Sequence, residues 1–167
     1  MSDVTVRVSY LELTRSPAPI GECLQEAHIA RERLSITEYL DLYRRIGESF
    51  RWDQRLRMPR ADLIRLIESE RSAIYVLRDN GGKALGLCEF ERCPQEIELK
   101  NFGLIPTAHG KGLGSWLLRT ALHCEWKLQP GRIWLHTDNW DHPAAMHAYA
   151  SAGFRVYSIR EEPPGDL

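Results

Sequence analysis

Apolar positions along the chain change period several times, and each change marks an element. Val4-Thr5-Val6-Arg7-Val8-Ser9-Tyr10-Leu11 nearly alternates and is β-branched, which predicts a first strand ended by Ser16-Pro17-Ala18-Pro19. From Glu22 to about Leu34 the pattern is polar and weakly helical. Ser35-Ile36-Thr37-Glu38 reads as a capping box, the Ser oxygen accepting a free backbone N–H while Glu38 reaches back to the Ser amide. Ile36, Tyr39, Leu40, Tyr43 and Ile46 continue at helical spacing to Gly47, expected to end the helix in the left-handed conformation. A further helix follows Pro59, with Leu63, Leu66 and Ile67 inward.

Three strand-like runs come next: Ser72 to Leu77, Lys83 to Arg92 and Glu96 to Leu104. Asp79-Asn80-Gly81-Gly82 joins the first two as a hairpin turn, because Asn and Gly tolerate positive φ. A long helix from about Gly110 to Leu128 precedes the turn Pro130-Gly131 and a strand from Arg132 to Thr137. A short helix from Pro143 to Ala152, opened by a proline and closed by Gly153, leads into a strand from Phe154 to Arg160. An antiparallel start and a β-α-β finish predict an α+β, three-layer α/β/α domain with a mostly antiparallel sheet. At 167 residues the chain reads as one domain spanning 1–167, with a frayed tail at about 161–167.

Composition narrows the function classes. Lys plus Arg is 22 against Asp plus Glu at 23, so the net charge of −1 offers no field for nucleic acid or an anionic membrane. The start MSDVTVRVSY lacks a signal peptide's basic and apolar regions, and no window approaches a membrane span, so a cytoplasmic location is expected. Cys23, Cys88, Cys93 and Cys124 show no C-x-x-C spacing, which reads as reduced thiols rather than a zinc knuckle or disulfide scaffold. His136 and Asp138 share a strand face without a third ligand at recognisable spacing, so no metal is expected.

The sharpest chemical signal is Leu104-Ile105-Pro106-Thr107-Ala108-His109-Gly110-Lys111-Gly112-Leu113-Gly114-Ser115, a strand that re-enters as a helix through three alternating glycines. A helix start carries unpaired N–H groups and partial positive charge, and glycines let an anion approach the backbone. Lys111 adds a mobile cation. A Walker loop needs a glycine in place of Ile105 and a Ser or Thr in place of Gly112. A dinucleotide fingerprint needs a glycine where Ser115 stands, and a nucleophile elbow needs glycines at Leu113 and Leu117.

The run resembles the acyl-CoA signature of the GNAT acetyltransferase superfamily, in which an apolar residue, Pro, and Arg or Gln precede Gly-x-Gly-x-Gly or Ala. Leu104 through Gly114 matches it except at His109, where the family usually has Arg or Gln. The second landmark follows in family order: His142-Pro143-Ala144-Ala145-Met146-His147-Ala148-Tyr149-Ala150-Ser151-Ala152-Gly153-Phe154 is similar to Asn-x-x-Ala-x-x-Leu-Tyr-x-x-x-Gly-Phe, with His142 for Asn and Ala148 for Leu. The likeness covers roughly residues 72–160. His136-Thr137 with the His142-Pro143 element resembles a bacterial GNAT subgroup of uncharacterised substrate.

The resemblance implies splayed central strands and acetyl-CoA as the acyl donor, held by Phe102, Gly103, Leu104, His109, Gly110, Lys111, Gly112, Leu113, Gly114, Ser115, Asn139, His142 and Tyr149. It implies direct transfer to a primary amine without a covalent intermediate or a metal, the Leu104 amide meeting the oxyanion and Tyr149 protonating the leaving thiolate. Glu98 is the base expected to deprotonate the amine, although its alternation with Glu96 and Lys100 also fits a solvated strand edge. Tyr43 and Trp52, with Tyr39 and Phe50, fall where the family builds its acceptor wall, and most of these are expected to be core. Arg51, Arg55, Arg57 and Arg60 read as a grip for an anion or as a solvated face. A small-molecule amine is the implied acceptor and a homodimer the implied assembly. A non-catalytic acyl-CoA sensor and a protein Lys or N-terminal acetyltransferase are the alternatives.

Overall fold

The computed structural model describes residues 4–164. Seven strands, β1 (Val6–Leu13), β2 (Ala27–Arg31), β3 (Ser72–Asp79), β4 (Ala84–Arg92), β5 (Glu96–Leu104), β6 (Arg132–Asp138) and β7 (Arg155–Glu162), form one sheet in the order β2-β3-β4-β5-β6-β1-β7. Every neighbouring pair is antiparallel except β5 and β6. Helices α1 (Ile36–Gly47), α2 (Gln54–Arg57) and α3 (Arg60–Glu68) lie on one face, α4 (Leu113–Trp126) and α5 (Pro143–Ala152) on the other. This is the α+β, three-layer, mostly antiparallel arrangement that the element order predicts.

The two faces are separated residue by residue along the central strands. On β4, Glu89 meets Tyr39 of α1, whereas Phe90 packs against Tyr75, whose hydroxyl donates to Glu125 of α4 (2.6 Å). Arg92 adds a bidentate pair to the fully buried Glu125, at 2.8 and 2.7 Å, so α4 is pinned to the sheet by charge as well as by Leu117, Leu118, Ala121 and Leu122.

Several expectations are met in detail. The Ser35 oxygen accepts from Glu38 N (3.2 Å) and Glu38 accepts from Ser35 N (3.1 Å), completing the capping box. In the β3–β4 hairpin only Gly82 takes positive φ (+84°), and α5 starts at Pro143 and ends at Gly153 with φ +114°.

Others are corrected. The stretch read as weakly helical before Leu34 contains the edge strand β2, whose one inward side presents only Ala27 and Ile29 and so carries little apolar signal. Gly47 is right-handed at φ −97°. It is a glycine because a Cβ there would overlap the side chain of Trp52, and the left-handed residue is Arg51 at φ 59°. The short α2 had no periodic signal. Helix α4 begins at Leu113 rather than near residue 110, since Gly110 and Gly112 both adopt positive φ. Of the tail, Glu161 and Glu162 belong to β7, and residues 165–167 lie outside the described residues.

Two features of the sheet create the site. Parallel pairing of β5 with β6 stops after Glu98↔Trp134, so the strands part toward their C-terminal ends. On β5 the register against β4 shifts so that Lys100 is extra, a β-bulge at the start of the opening. Strand β1 fills the far side of β6 and separates it from β7.

Candidate functional site

The wedge between β5 and β6 opens into a cavity of about 950 Å³, at the upper end of what small-molecule sites occupy. Ile105 N donates to Leu85 O (2.8 Å), so the alternation of an antiparallel strand turns the N–H groups of Leu104 and Phe102 away from β4 and into the wedge. No β6 residue pairs with them. One edge of β5 is therefore open to an extended ligand.

At the end of the wedge stands the start of α4. No side chain caps it, and the first backbone bond there runs from Trp116 N to Gly112 O, leaving the amides of Leu113, Gly114 and Ser115 free. Nothing lies within 4 Å of where a Cβ would project from Gly110 or Gly112, so an anion has room to reach the backbone. Lys111 is exposed and does not line the cavity. His109 lines it, but its Nε2 donates to the Leu104 carbonyl (3.0 Å), and its ring meets His142 edge-on at 4.8 Å. His142 Nδ1 caps α5 by accepting from Ala144 N (3.0 Å), and its ring borders the cavity. Asn139 is instead tied to β1, accepting from Arg7 N and donating to Arg7 O, and is not at the cavity.

Tyr149 projects from α5 between Phe102 and Phe154, with ring centroids at 5.9 Å from each. It is buried, and that burial, reinforced by Asp141 and Cys88, holds its phenol well above the usual tyrosine pKa. Among the described residues its hydroxyl has no hydrogen-bond partner, and the residue borders the cavity. The phenol is therefore protonated at neutral pH and unengaged.

The α1 side of the wedge is built from Tyr43, Trp52, Asn101, His136 and Asp138. Trp52 fills the space left by Gly47 and Gly103, packs at a tilt against Tyr43 (ring centroids 5.4 Å apart) and donates Nε1 to Asp141 (3.3 Å), which also accepts from Thr137. Burial lifts the Asp138 carboxyl above its ordinary value, although it accepts from Trp140 N (2.7 Å). Glu98 does not line the cavity; it lies behind, between Lys100 (3.4 Å) and His136 (3.7 Å).

Sequence reasoning missed the network beneath this wall. Arg55 and Glu89, 3% and 1% exposed, form an ion pair (3.2 Å) into which Tyr39 (2.8 Å) and Asn101 (2.6 Å) also donate. Arg55 is thus neither a solvated arginine nor an anion grip. Arg119, also missed, reaches the cavity with its guanidinium held by the carbonyls of Pro19 and Ser151.

Fold and site define an α+β domain whose cavity joins an open strand edge to the uncapped start of a helix. The sequence model of the Acetyltransferase (GNAT) family matches residues 37–154, and the chain belongs to that family. No curated protein matches the sequence. Among solved structures, the chain is similar to a GCN5-related N-acetyltransferase from Sphaerobacter thermophilus (18% identity, 98% of this chain and 54% of that one, TM-score 0.72). It is also similar to a tandem GNAT protein from the clavulanic acid biosynthesis pathway (16% identity, 99% and 56%, TM-score 0.67). The ribosomal-protein-S18-alanine N-acetyltransferase from Escherichia coli matches at 21% identity over 80% and 81%, with TM-score 0.61. The chain spans about half the length of the first two. These likenesses show the fold. Among the described residues no helix is long and apolar enough to cross a membrane.

Proposed function

We propose that this chain is an acetyl-CoA-dependent N-acetyltransferase, a single domain that moves an acetyl group directly to the primary amine of a small molecule. The observation that carries the reading is the continuity of the cavity, which joins the free amides of α4, the unpaired N–H groups of Phe102 and Leu104, and the unengaged hydroxyl of Tyr149.

In this reading the diphosphate sits at the start of α4 on Gly110, Gly112, Leu113, Gly114 and Ser115, and the pantetheine pairs with Phe102 to Leu104 as an added strand. The Leu104 amide is the donor for the oxyanion, and preorganised donors of this kind are worth ~3–4 kcal/mol. Tyr149 gives its proton to the departing thiolate. Its raised pKa does not oppose this, because a thiolate formed in the same dry environment is raised as well. Tyr43 and Trp52 shape the acceptor side, while Glu98, expected from the sequence as the base, stands behind the cavity and reaches it only through its neighbours.

A second reading, an acyl-CoA sensor without turnover, is favoured by one observation: His109 and His142, which replace family residues, both spend a ring nitrogen on backbone groups. Calorimetry with acetyl-CoA, followed by thiol release against amino acids, polyamines, arylalkylamines and N-terminal peptides, separates the readings. The peptides are included because one structural neighbour is named for a ribosomal protein. Binding with amine-dependent release is the expected result. Binding without release supports the sensor, and no binding overturns both.

A further inference from the structure

We propose that His136 receives the proton of the incoming ammonium and that Glu98 positions it. The inference rests on the acetyltransferase reading and adds the residue that carries proton removal. Trp134, His136 and Asp138 alternate on one side of β6, and Trp134 pairs with Glu98, so all three share the sheet face of Glu98. The last β5–β6 pair is Glu98↔Trp134. His136 is therefore the first β6 residue on that face beyond the point where the strands part. It borders the cavity, whereas Glu98 does not.

The side-chain exposures agree: 25% for His136 and 13% for Glu98. Glu98 Oε1 lies 3.7 Å from His136 Nε2, too long for a direct hydrogen bond but within reach of its charge, and Lys100 Nζ holds the same oxygen at 3.4 Å. The remaining charged or titratable neighbours are Asp138 on β6 and Tyr10 on β1, whose ring stands 5.8 Å away. Tyr10 in turn donates to Glu162, with Arg160 over its ring and Tyr157 beside it. Of the two titratable side chains that this face of β6 presents to the cavity, Asp138 already accepts from the Trp140 amide, whereas His136 is held by no backbone group among the described residues. Tyr149 meets Phe102 on the α5 face of the sheet, so the acid and the base of this proposal come from opposite faces.

The step balances as follows. His136 takes one proton from the ammonium, and the free amine forms a C–N bond to the thioester carbon. As the C–S bond breaks, the sulfur takes the Tyr149 proton and the nitrogen's second proton restores the phenol. His136 then releases its proton to solvent, giving one amide, one thiol and one proton overall.

The test is the pH dependence of kcat/KM for the best amine of the panel, in the parent, His136→Gln, Glu98→Gln and Asp138→Asn proteins, with acetyl-CoA affinity read by calorimetry. His136→Gln is expected to lower kcat/KM by roughly 10²–10⁴-fold and remove the acidic limb while acetyl-CoA binding persists. Glu98→Gln is expected to shift that limb rather than abolish it. Added imidazole is expected to restore turnover to His136→Ala, a rescue that a purely structural role would not permit. A parent-like profile in His136→Gln, or loss of the limb only in Asp138→Asn, overturns the proposal while leaving the acetyltransferase reading intact. A parent that binds acetyl-CoA but acetylates no amine overturns both.

Discussion

Replacing Glu89 by Leu strips the buried network of its only carboxylate. Arg55 is 3% exposed and Glu89 is its sole ion-pair partner among the described residues, so the guanidinium is left buried and charged with only the Tyr39 hydroxyl to accept from it. The Tyr39 hydroxyl and the Asn101 amide lose their acceptor at the same time. Breaking one side of such a pair costs about 3–5 kcal/mol. For a domain of this size each kcal/mol shifts the melting temperature by about 2–4 °C, which places the loss at roughly 6–20 °C. The double variant Arg55→Met with Glu89→Leu removes both charges and keeps apolar volume, so it is expected to recover much of the loss. Urea unfolding of the parent, both single variants and the double variant, followed by far-ultraviolet circular dichroism, gives the coupling energy. Singles within about 1 kcal/mol of the parent, or a double variant as unstable as the sum of the singles, would refute the reasoning.

Gly47→Ala is ordinarily favourable in a helix by about 1 kcal/mol, but here it is expected to destabilise, because the new methyl overlaps the Trp52 side chain; a raised melting temperature would contradict it. Tyr149→Phe is expected to lower kcat by roughly 10²-fold or more with acetyl-CoA affinity kept, and unchanged turnover removes its role as acid. Burial pushes the Tyr43 phenol up to about 12. The unfolded chain therefore holds fewer protons above pH ~10, and stability that is full below pH ~10 is lost as the pH rises toward about 12. Tyr43→Phe should flatten that alkaline fall in urea titrations, and an unaltered slope would count against it. The Glu38 carboxyl is held below its usual value by the Ser35 amide and hydroxyl, so its share of stability is present at neutral pH and fades as the pH falls through that lowered value. Glu38→Gln is expected to blunt the acid-side loss, and an identical acid profile would remove the cap from the account.

Elements with a local backbone demand were legible. The capping box at Ser35, the proline and glycine that bracket α5, and the glycine of the β3–β4 hairpin each require particular residues whatever the tertiary context. Strand β2 was not, because an edge strand with two modest inward residues leaves the same trace as a polar loop. The pattern of Val4 to Leu11 could reveal that a strand exists, but not that it lies between β6 and β7. Pairing partners are chosen by distant segments, here by Asn139 clasping Arg7 and by the register Leu11↔Leu135. The splay of β5 from β6 came only through the family resemblance, since the alternation of both strands continues through the point of separation.

The same division runs through the site. Its glycine-loop half was readable because positive φ at Gly110 and Gly112 is a demand made on single residues. The half facing α1 depends on pairs. Phe50 meets His142 at 5.4 Å, Arg51 stacks over Trp140 at 4.5 Å, and Trp52 donates to Asp141, so three consecutive residues after α1 are fastened to the β6–α5 loop. Arg51 accepts left-handed backbone to do so, and Gly47 surrenders its Cβ to seat Trp52. A run of aromatic and basic residues around position 52 suggests core or surface when read alone. It becomes a wall only because the β6–α5 loop, far along the chain, presents an indole to Arg51, a carboxylate to Trp52 and an imidazole to Phe50. Glu89, a lone carboxylate within the buried face of β4, was the one sequence signal that could have exposed this dependence, since a buried charge requires a partner. Arg55 was that partner.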